Sequence, residues 1–252
     1  MDMKGHVAVV TGGASGLGEA TVRAFAARGV KVAIADLNAD RGNAIAKELG
    51  GFFGKVDVSS AQSAETFFAD VEKALGIPRI LVNCAGIGVA KRMVGRDGAQ
   101  PLEEFARVIN INLIGTFNMM RLAAAAMQKL DLVGEERGVI ISTASVAAYD
   151  GQIGQPAYAA SKGGIVSLTL PAARELAQFQ IRVLTIAPGI FHTPLMNELP
   201  IEAQKSLAAA IPNPRRLGQP PEFAALACHM VENAYLNGEV VRLDGAIRMA
   251  PK

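Results

Sequence analysis

Short runs of Val, Ile and Ala alternate along the chain with longer stretches rich in Ala and charged residues. The runs start near Val7, Val30, Phe52, Ile80, Val139, Ile181 and Val240. They are apolar throughout rather than at every second position. A strand wetted on one face alternates, whereas a strand covered on both faces does not. Such runs separated by helical stretches predict repeated βαβ units. Right-handed crossovers then give an α/β fold, a Rossmann-type doubly wound parallel sheet with helices on both faces. The punctuation agrees. Gly29 is expected to end the first helix, with Arg28 in its last turn, and Gly50 and Gly51 the second. Residues 57–60 turn into the third helix, and Pro188 and Gly189 stop the sixth strand. No break in composition marks a second domain, so residues 1–252 are expected to form one. One stretch stands apart, because six of the twelve prolines fall between Pro194 and Pro221. A segment of about 193–221 is expected to act as a lid over a ligand, the plainer reading being a stiff surface connection. Leu195, Met196, Leu199, Ile201, Leu207 and Ile211 give it an apolar face.

Composition supports a large buried core: 50% of the 252 residues are hydrophobic, 19% are charged, and Trp is absent. The formal charge of +2 is too small to argue for nucleic acid. The most basic cluster, Lys91, Arg92 and Arg96, reads first as a solvated loop. Cys84 and Cys228 lie far apart without metal-ligand spacing. No metal site is expected, and unpaired thiols in a reducing compartment fit better than a disulfide. The first residues lead straight into a strand and resemble neither a signal nor a transit peptide. No apolar run reaches the roughly 18 residues of a membrane span. A cytoplasmic location without membrane or nucleic-acid partners is the expectation.

Residues 11–18 read TGGASGLG between the first strand and the first helix. A diphosphate needs backbone amides aimed at it and no side chains in the way; glycines allow both, and the helix N-terminus adds a favourable dipole. Gly12, Ser15, Gly16, Leu17 and Gly18 are therefore candidate dinucleotide contacts. Asp36 ends the second strand, eighteen residues after Gly18. Its carboxylate can accept hydrogen bonds from ribose hydroxyls and repel a 2′-phosphate. Two unit charges about 5 Å apart at an effective dielectric near 20 repel by about 3 kcal/mol, enough to choose NAD over NADP. Leu37, not Arg, follows the Asp. Asp57 and Val58 after the third strand suit the adenine edge. Asn83, Cys84 and Ala85, in NCAG after the fourth, let the backbone approach the adenosine ribose.

Tyr158 and Lys162 stand i, i+4 in YAASK and share a helix face. A phenol with a pKa near 10 is a poor base at neutral pH, and a neighbouring ammonium favours its phenolate. Such a pair suits an alcohol that must lose its proton as hydride leaves. YxxxK alone is common. The ordered set TGGASGLG, NCAG, Asn112 in NLIG, Ser145 in STAS, YAASK and the PG of Pro188 and Gly189 is much more specific. It resembles the short-chain dehydrogenase/reductase family over essentially the whole chain. The resemblance implies a seven-stranded sheet of order 3-2-1-4-5-6-7 and a catalytic set of Asn112, Ser145, Tyr158 and Lys162. In that reading Ser145 holds the substrate oxygen and Tyr158 moves its proton. Lys162 holds the nicotinamide ribose and favours phenolate, and Asn112 holds a water leading from Lys162 to solvent. Pro188, Phe191 and Thr193 resemble positions at the nicotinamide.

Longer stretches, among them TASVAAYDGQIGQPAYAASKGGIVSLTLPAARELA and LNGEVVRLDGAIRM, look like the type 2 3-hydroxyacyl-CoA dehydrogenases, also described as type 10 17β-hydroxysteroid dehydrogenases. That subgroup shares Pro171, which is expected to kink its helix. Its animal members are mitochondrial, and without their kind of N-terminal extension the chain reads as a bacterial counterpart. His192 replaces a smaller residue of the subgroup, which bears on pocket shape beside the nicotinamide. The resemblance implies an NAD-dependent dehydrogenase acting on a small-molecule acyl-CoA, assembled as a homotetramer. The charges of Lys91 or Arg92 are expected to meet the CoA phosphates. A 3-oxoacyl carrier-protein reductase and a hydroxysteroid dehydrogenase are the enzymatic alternatives. An RNA-processing or binding subunit is the non-enzymatic one, and the intact catalytic set argues against it.

Overall fold

The computed structural model describes every residue except Asp97, Glu198, Leu199 and Lys252, and leaves the side chains of Leu195, Asn197 and Ala203 undescribed. Seven strands, β1 (Val7–Thr11), β2 (Lys31–Asp36), β3 (Phe52–Lys55), β4 (Ile80–Asn83), β5 (Gly138–Thr143), β6 (Ile181–Pro188) and β7 (Val240–Leu243), form a sheet of order 3-2-1-4-5-6-7. Every pairing in it is parallel. Each strand starts within one residue of its expected place. A separate two-stranded hairpin, Val94–Gly95 with Gly98–Ala99, projects after β4.

The apolar runs serve both faces because successive side chains point oppositely. Ala8, Val10, Ile34, Val82, Ile141 and Leu184 face one cluster with Phe25, Ile45 and Phe223. These belong to helices α1 (Gly16–Ala26), α2 (Ala39–Leu49) and α9 (Pro220–Glu232). Val7, Val9, Ala33, Leu81, Ile140 and Val183 face the other, with Phe67, Met119 and Ala173. Those come from α3 (Ala61–Leu75), α5 (Gly115–Met127) and α6 (Pro156–Leu176). Helix α1 ends at Ala26, three residues before Gly29, whose φ of 77° reverses the chain. Gly50 caps α2 in the left-handed region, as expected. Helix α6 runs on through Pro171.

Helix α4 (Leu102–Ile109) joins α5 through a π-turn, Asn110–Ile114. Such a wide turn inside a helix is often functional. In the 193–221 segment, α7 (Pro194–Asn197) and α8 (Ile201–Ala209) precede α9. Met196 and Leu207 pack with Ile211, Leu217 and Ile247, while Ile201 is exposed. Of the other apolar-face candidates, Leu199 and the Leu195 side chain lie outside the described residues. Among the described residues no helix is long and apolar enough to cross a membrane.

Candidate active site

The strand order reverses between β1 and β4, and the carboxyl ends of these parallel strands leave a crevice there, the usual ligand position in such sheets. β1 ends in the glycine loop. A Cβ on Gly12 would lie 2.8 Å from the Ala85 amide nitrogen, and one on Gly18 2.1 Å from the Gly12 carbonyl oxygen. Side chains are excluded because the loop touches the end of β4 and α1 touches the loop. The Thr11 hydroxyl clamps the same junction, accepting the Cys84 and Ala85 amides at 3.1 and 3.0 Å. Asp36 braces the loop from β2. One carboxylate oxygen accepts the Ala14 amide at 3.0 Å and the other the Asn38 amide at 2.9 Å.

The resulting groove has a volume of about 480 Å³. Gly12, Ser15, Gly16, Leu17, Gly18, Asp36, Asp57, Val58, Cys84, Ala85 and Thr193 line it, as do Leu37, Val56, Gly86, Ile87, Arg107, Ile111 and Pro194. Arg107 and Ile111 went unnoticed in the sequence, although their i, i+4 spacing just before Asn112 could have shown a shared face. Asn83 lies behind the groove. It is buried, its amide donates to the Ser142 hydroxyl at 3.4 Å, and its carbonyl oxygen has no partner among the described residues.

Pro156 starts α6, which places Tyr158 in its first turn and Lys162 one turn on. The Lys162 ammonium lies 5.8 Å from the Tyr158 ring centroid and donates to the Thr143 carbonyl at 2.7 Å. Burial pulls its pKa down to about 8, against a smaller upward pull from Cys84. Burial pushes the Tyr158 phenol above its ordinary value, and a hydrogen bond from Ser145 opposes this. Ser145 is held by accepting the Ala147 amide at 3.1 Å. At neutral pH the pair holds one phenolic proton beside one ammonium, a proton donor and its electrostatic partner. Asn112 sits in the π-turn, fully buried. Its side-chain oxygen accepts the Ile87 amide at 2.8 Å, and its nitrogen donates to the Ile87 carbonyl at 2.9 Å and the Ser161 hydroxyl at 3.0 Å. The fold thus brings Ser145, Tyr158 and Lys162 together, with Asn112 tied to the same helix.

A phenol–lysine pair at the carboxyl edge of the sheet is the arrangement implied by the sequence resemblance, and the sequence profile of the short chain dehydrogenases matches residues 6–204. The chain belongs to that family. It is 51% identical over 254 residues to 3-hydroxyacyl-CoA dehydrogenase type-2 of Homo sapiens, covering 99% of this chain and 97% of the human one. A crystal structure of 3-hydroxyacyl-CoA dehydrogenase type-2 from Mycobacterium avium superposes with a TM-score of 0.94 at 47% identity, over 98% of each chain. A 3-oxoacyl-[acyl-carrier-protein] reductase of Thermotoga maritima is more distant, at 34% identity over 98% of this chain and 99% of its own. This short-chain dehydrogenase is accordingly an oxidoreductase.

The remaining candidates scatter around the dehydrogenase site. Pro188 ends β6, buried opposite Leu243. The Phe191 ring is 7% exposed and lies against Gly218, so what it can offer a ligand is its main chain. His192 lines a neighbouring cavity of about 480 Å³ between α1 and α9, with Glu19 and Arg23, rather than the groove. The resemblance to the subgroup had tied His192 to the pocket beside the nicotinamide. Lys91 is paired with Glu104 at 2.7 Å. Arg92 lines a separate cavity of about 590 Å³ with Met93 and Ile153. Cys84 and Cys228 are both free thiols. Burial pushes Cys84 up to about 11 against a Thr143 hydrogen bond and the Lys162 charge, which makes it inert at neutral pH.

Proposed function

We propose that this enzyme is an NAD-dependent 3-hydroxyacyl-CoA dehydrogenase that interconverts (S)-3-hydroxyacyl-CoA and 3-oxoacyl-CoA. The observation carrying the substrate class is the 51% identity to the human type-2 enzyme over 99% of the chain. NAD fits the groove on the chain's own features. The glycine cradle admits a diphosphate where a Cβ would block it. Asp36 lines the groove and keeps lone pairs for ribose hydroxyls beyond the two amides it accepts. Bound NAD supplies the hydride acceptor and, when oxidised, a positive charge that favours phenolate.

Ser145 donates to the substrate oxygen and orients it. Tyr158 takes the hydroxyl proton during oxidation and returns it during reduction, and a positioned proton carrier of this kind contributes about 10² to 10⁴ in rate. Lys162 stabilises the phenolate. Asn112 spends both side-chain N–H groups on Ile87 and Ser161, so what it offers a water toward Lys162 is a carbonyl oxygen. Its side-chain oxygen accepts the Ile87 amide at 2.8 Å and its main-chain carbonyl accepts the Thr116 hydroxyl at 2.7 Å, and each oxygen has a second lone pair. The apolar side chains of Met196, Leu207 and Ile211 support an acyl wall in the segment after Thr193, while Thr193 and Pro194 themselves reach the glycine loop, 3.6 Å from the Cβ position of Gly16. The test is turnover of a series of 3-oxoacyl-CoA chain lengths with NADH and with NADPH. Turnover with NADH across the series is expected. A preference for NADPH and a carrier-protein thioester would replace this reading with the reductase, and turnover of steroids alone with the hydroxysteroid dehydrogenase.

Ile114, Phe117 and Leu170 are each about half exposed, at 48%, 52% and 45%. Three large apolar side chains on neighbouring helices support the further proposal of a homotetramer that covers them. A monomer in light scattering at micromolar concentration would overturn it. Two unpaired thiols support a reducing, cytoplasmic setting.

A further inference from the structure

Ser161 lies between Tyr158 and Lys162 on α6 and is 0% exposed. Its hydroxyl has one proton, and that proton is committed to the Tyr158 main-chain carbonyl at 2.8 Å. Its lone pairs therefore face the Asn112 side-chain nitrogen, which donates to it at 3.0 Å. A buried amide of this kind can be turned either way about its last bond, exchanging oxygen and nitrogen. Two neighbours forbid the exchange. The Ile87 N–H needs the amide oxygen, and the Ser161 hydroxyl, already spent as a donor, needs the nitrogen. One serine thus locks three elements together: the loop after β4, the π-turn and the catalytic helix. Gly86, next to Ile87, comes close enough that a Cβ there would lie 3.1 Å from the Asn112 side-chain oxygen and 3.6 Å from the Lys162 ammonium.

We infer that Ser161 is a positioning residue for proton transfer: its hydroxyl fixes Asn112 on the catalytic helix, and thereby the path from Lys162 to solvent. This rests on the proposed role of Asn112. Without the hydroxyl, a buried N–H loses its acceptor and the amide is free to turn or to draw in water. Tyr158 and Lys162 keep their own contacts, so coenzyme binding is spared while proton movement slows.

The experiment compares Ser161→Ala, Ser161→Thr, Asn112→Ala and the double variant Ser161→Ala/Asn112→Ala. It measures kcat, the solvent deuterium isotope effect on kcat, and NADH affinity by fluorescence. Ser161→Ala is expected to lower kcat about tenfold, the equivalent of about 1.4 kcal/mol. Its solvent isotope effect should rise, with the NADH Kd within about threefold of wild type, because one neutral hydrogen bond is removed away from the groove. Ser161→Thr, which keeps the hydroxyl, should restore both. The double variant should be no slower than Asn112→Ala, because the two act as one unit. If Asn112→Ala is slow while Ser161→Ala keeps wild-type kcat and isotope effect, the inference is overturned and the Asn112 reading survives. If Asn112→Ala itself is unaffected, both fall. Should Ser161→Ala not fold, Ser161→Cys keeps the shape, weakens both bonds and carries the same expectations.

Discussion

Replacing Asp36 with Ala tests two consequences of one carboxylate. The first is electrostatic. If a 2′-phosphate came within about 5 Å of it, repulsion at an effective dielectric near 20 would cost about 3 kcal/mol, or roughly 10² in the ratio of kcat/KM values for the two coenzymes. The second is structural and needs no coenzyme. Asp36 accepts the Ala14 amide of the glycine loop at 3.0 Å and the Asn38 amide ahead of α2 at 2.9 Å. Bonds to a charged acceptor are worth about 1.5–3 kcal/mol each when buried. The Asn38 bond is exposed and the Ala14 bond only partly buried, so a total of roughly 2 kcal/mol is the reasonable figure. At about 2–4 °C per kcal/mol for a chain of this size, the coenzyme-free Tm should fall by roughly 4–8 °C. Asp36→Asn separates the two effects. It loses the charge but keeps an acceptor for one amide, so its coenzyme ratio should move nearly as far while its Tm falls about half as much. The assays are thermal unfolding without coenzyme and steady-state kinetics with NADH and NADPH at two salt concentrations. High salt should soften the kinetic effect alone. A wild-type preference for NADPH, or an Asp36→Ala variant with unchanged Tm and coenzyme ratio, would refute the reasoning.

Tyr158→Phe keeps the ring and removes the proton carrier. Turnover should fall by about 10² to 10⁴ with NADH binding retained, and turnover within a few-fold of wild type would remove Tyr158 from its role. Lys162 makes a stability prediction of unusual sign. Its pKa of about 8 lies below the 10.5 of a free lysine, so the unfolded chain binds more protons between those values and stability rises with pH across that window. Below pH 8 the buried charge costs the folded protein about 3 kcal/mol. Lys162→Met should therefore melt above wild type at pH 7, lose activity, and show a shrinking advantage toward pH 10; a Tm difference independent of pH would count against it. In the 193–221 segment, Leu207→Ala is expected to raise KM for long-chain 3-oxoacyl-CoA more than for acetoacetyl-CoA. Equal effects on both would favour a stiff connector, since Leu207 also packs with Ile211, Leu217 and Ile247.

The sequence by itself determined the layered α/β architecture, because burial on both faces makes a strand apolar throughout and that pattern is local. It also determined the Tyr158–Lys162 face, since i, i+4 spacing on a helix needs no tertiary information. The glycine loop was legible for the same reason: its demand for bare backbone is written in consecutive residues. What only the tertiary structure decided concerns groups distant along the chain. That Asp36 holds the glycine loop depends on how β2 lies beside β1. That Asn112 spends both side-chain N–H groups on Ile87 and Ser161 depends on α6 packing across the π-turn. The Phe191 ring turned into the core and the adjacent His192 into a neighbouring cavity, as consecutive positions of an extended segment face opposite sides. Lys91 found Glu104, thirteen residues away. Periodicity reports which face a residue is on, and hydrogen-bond partners are chosen by whatever the fold brings to that face.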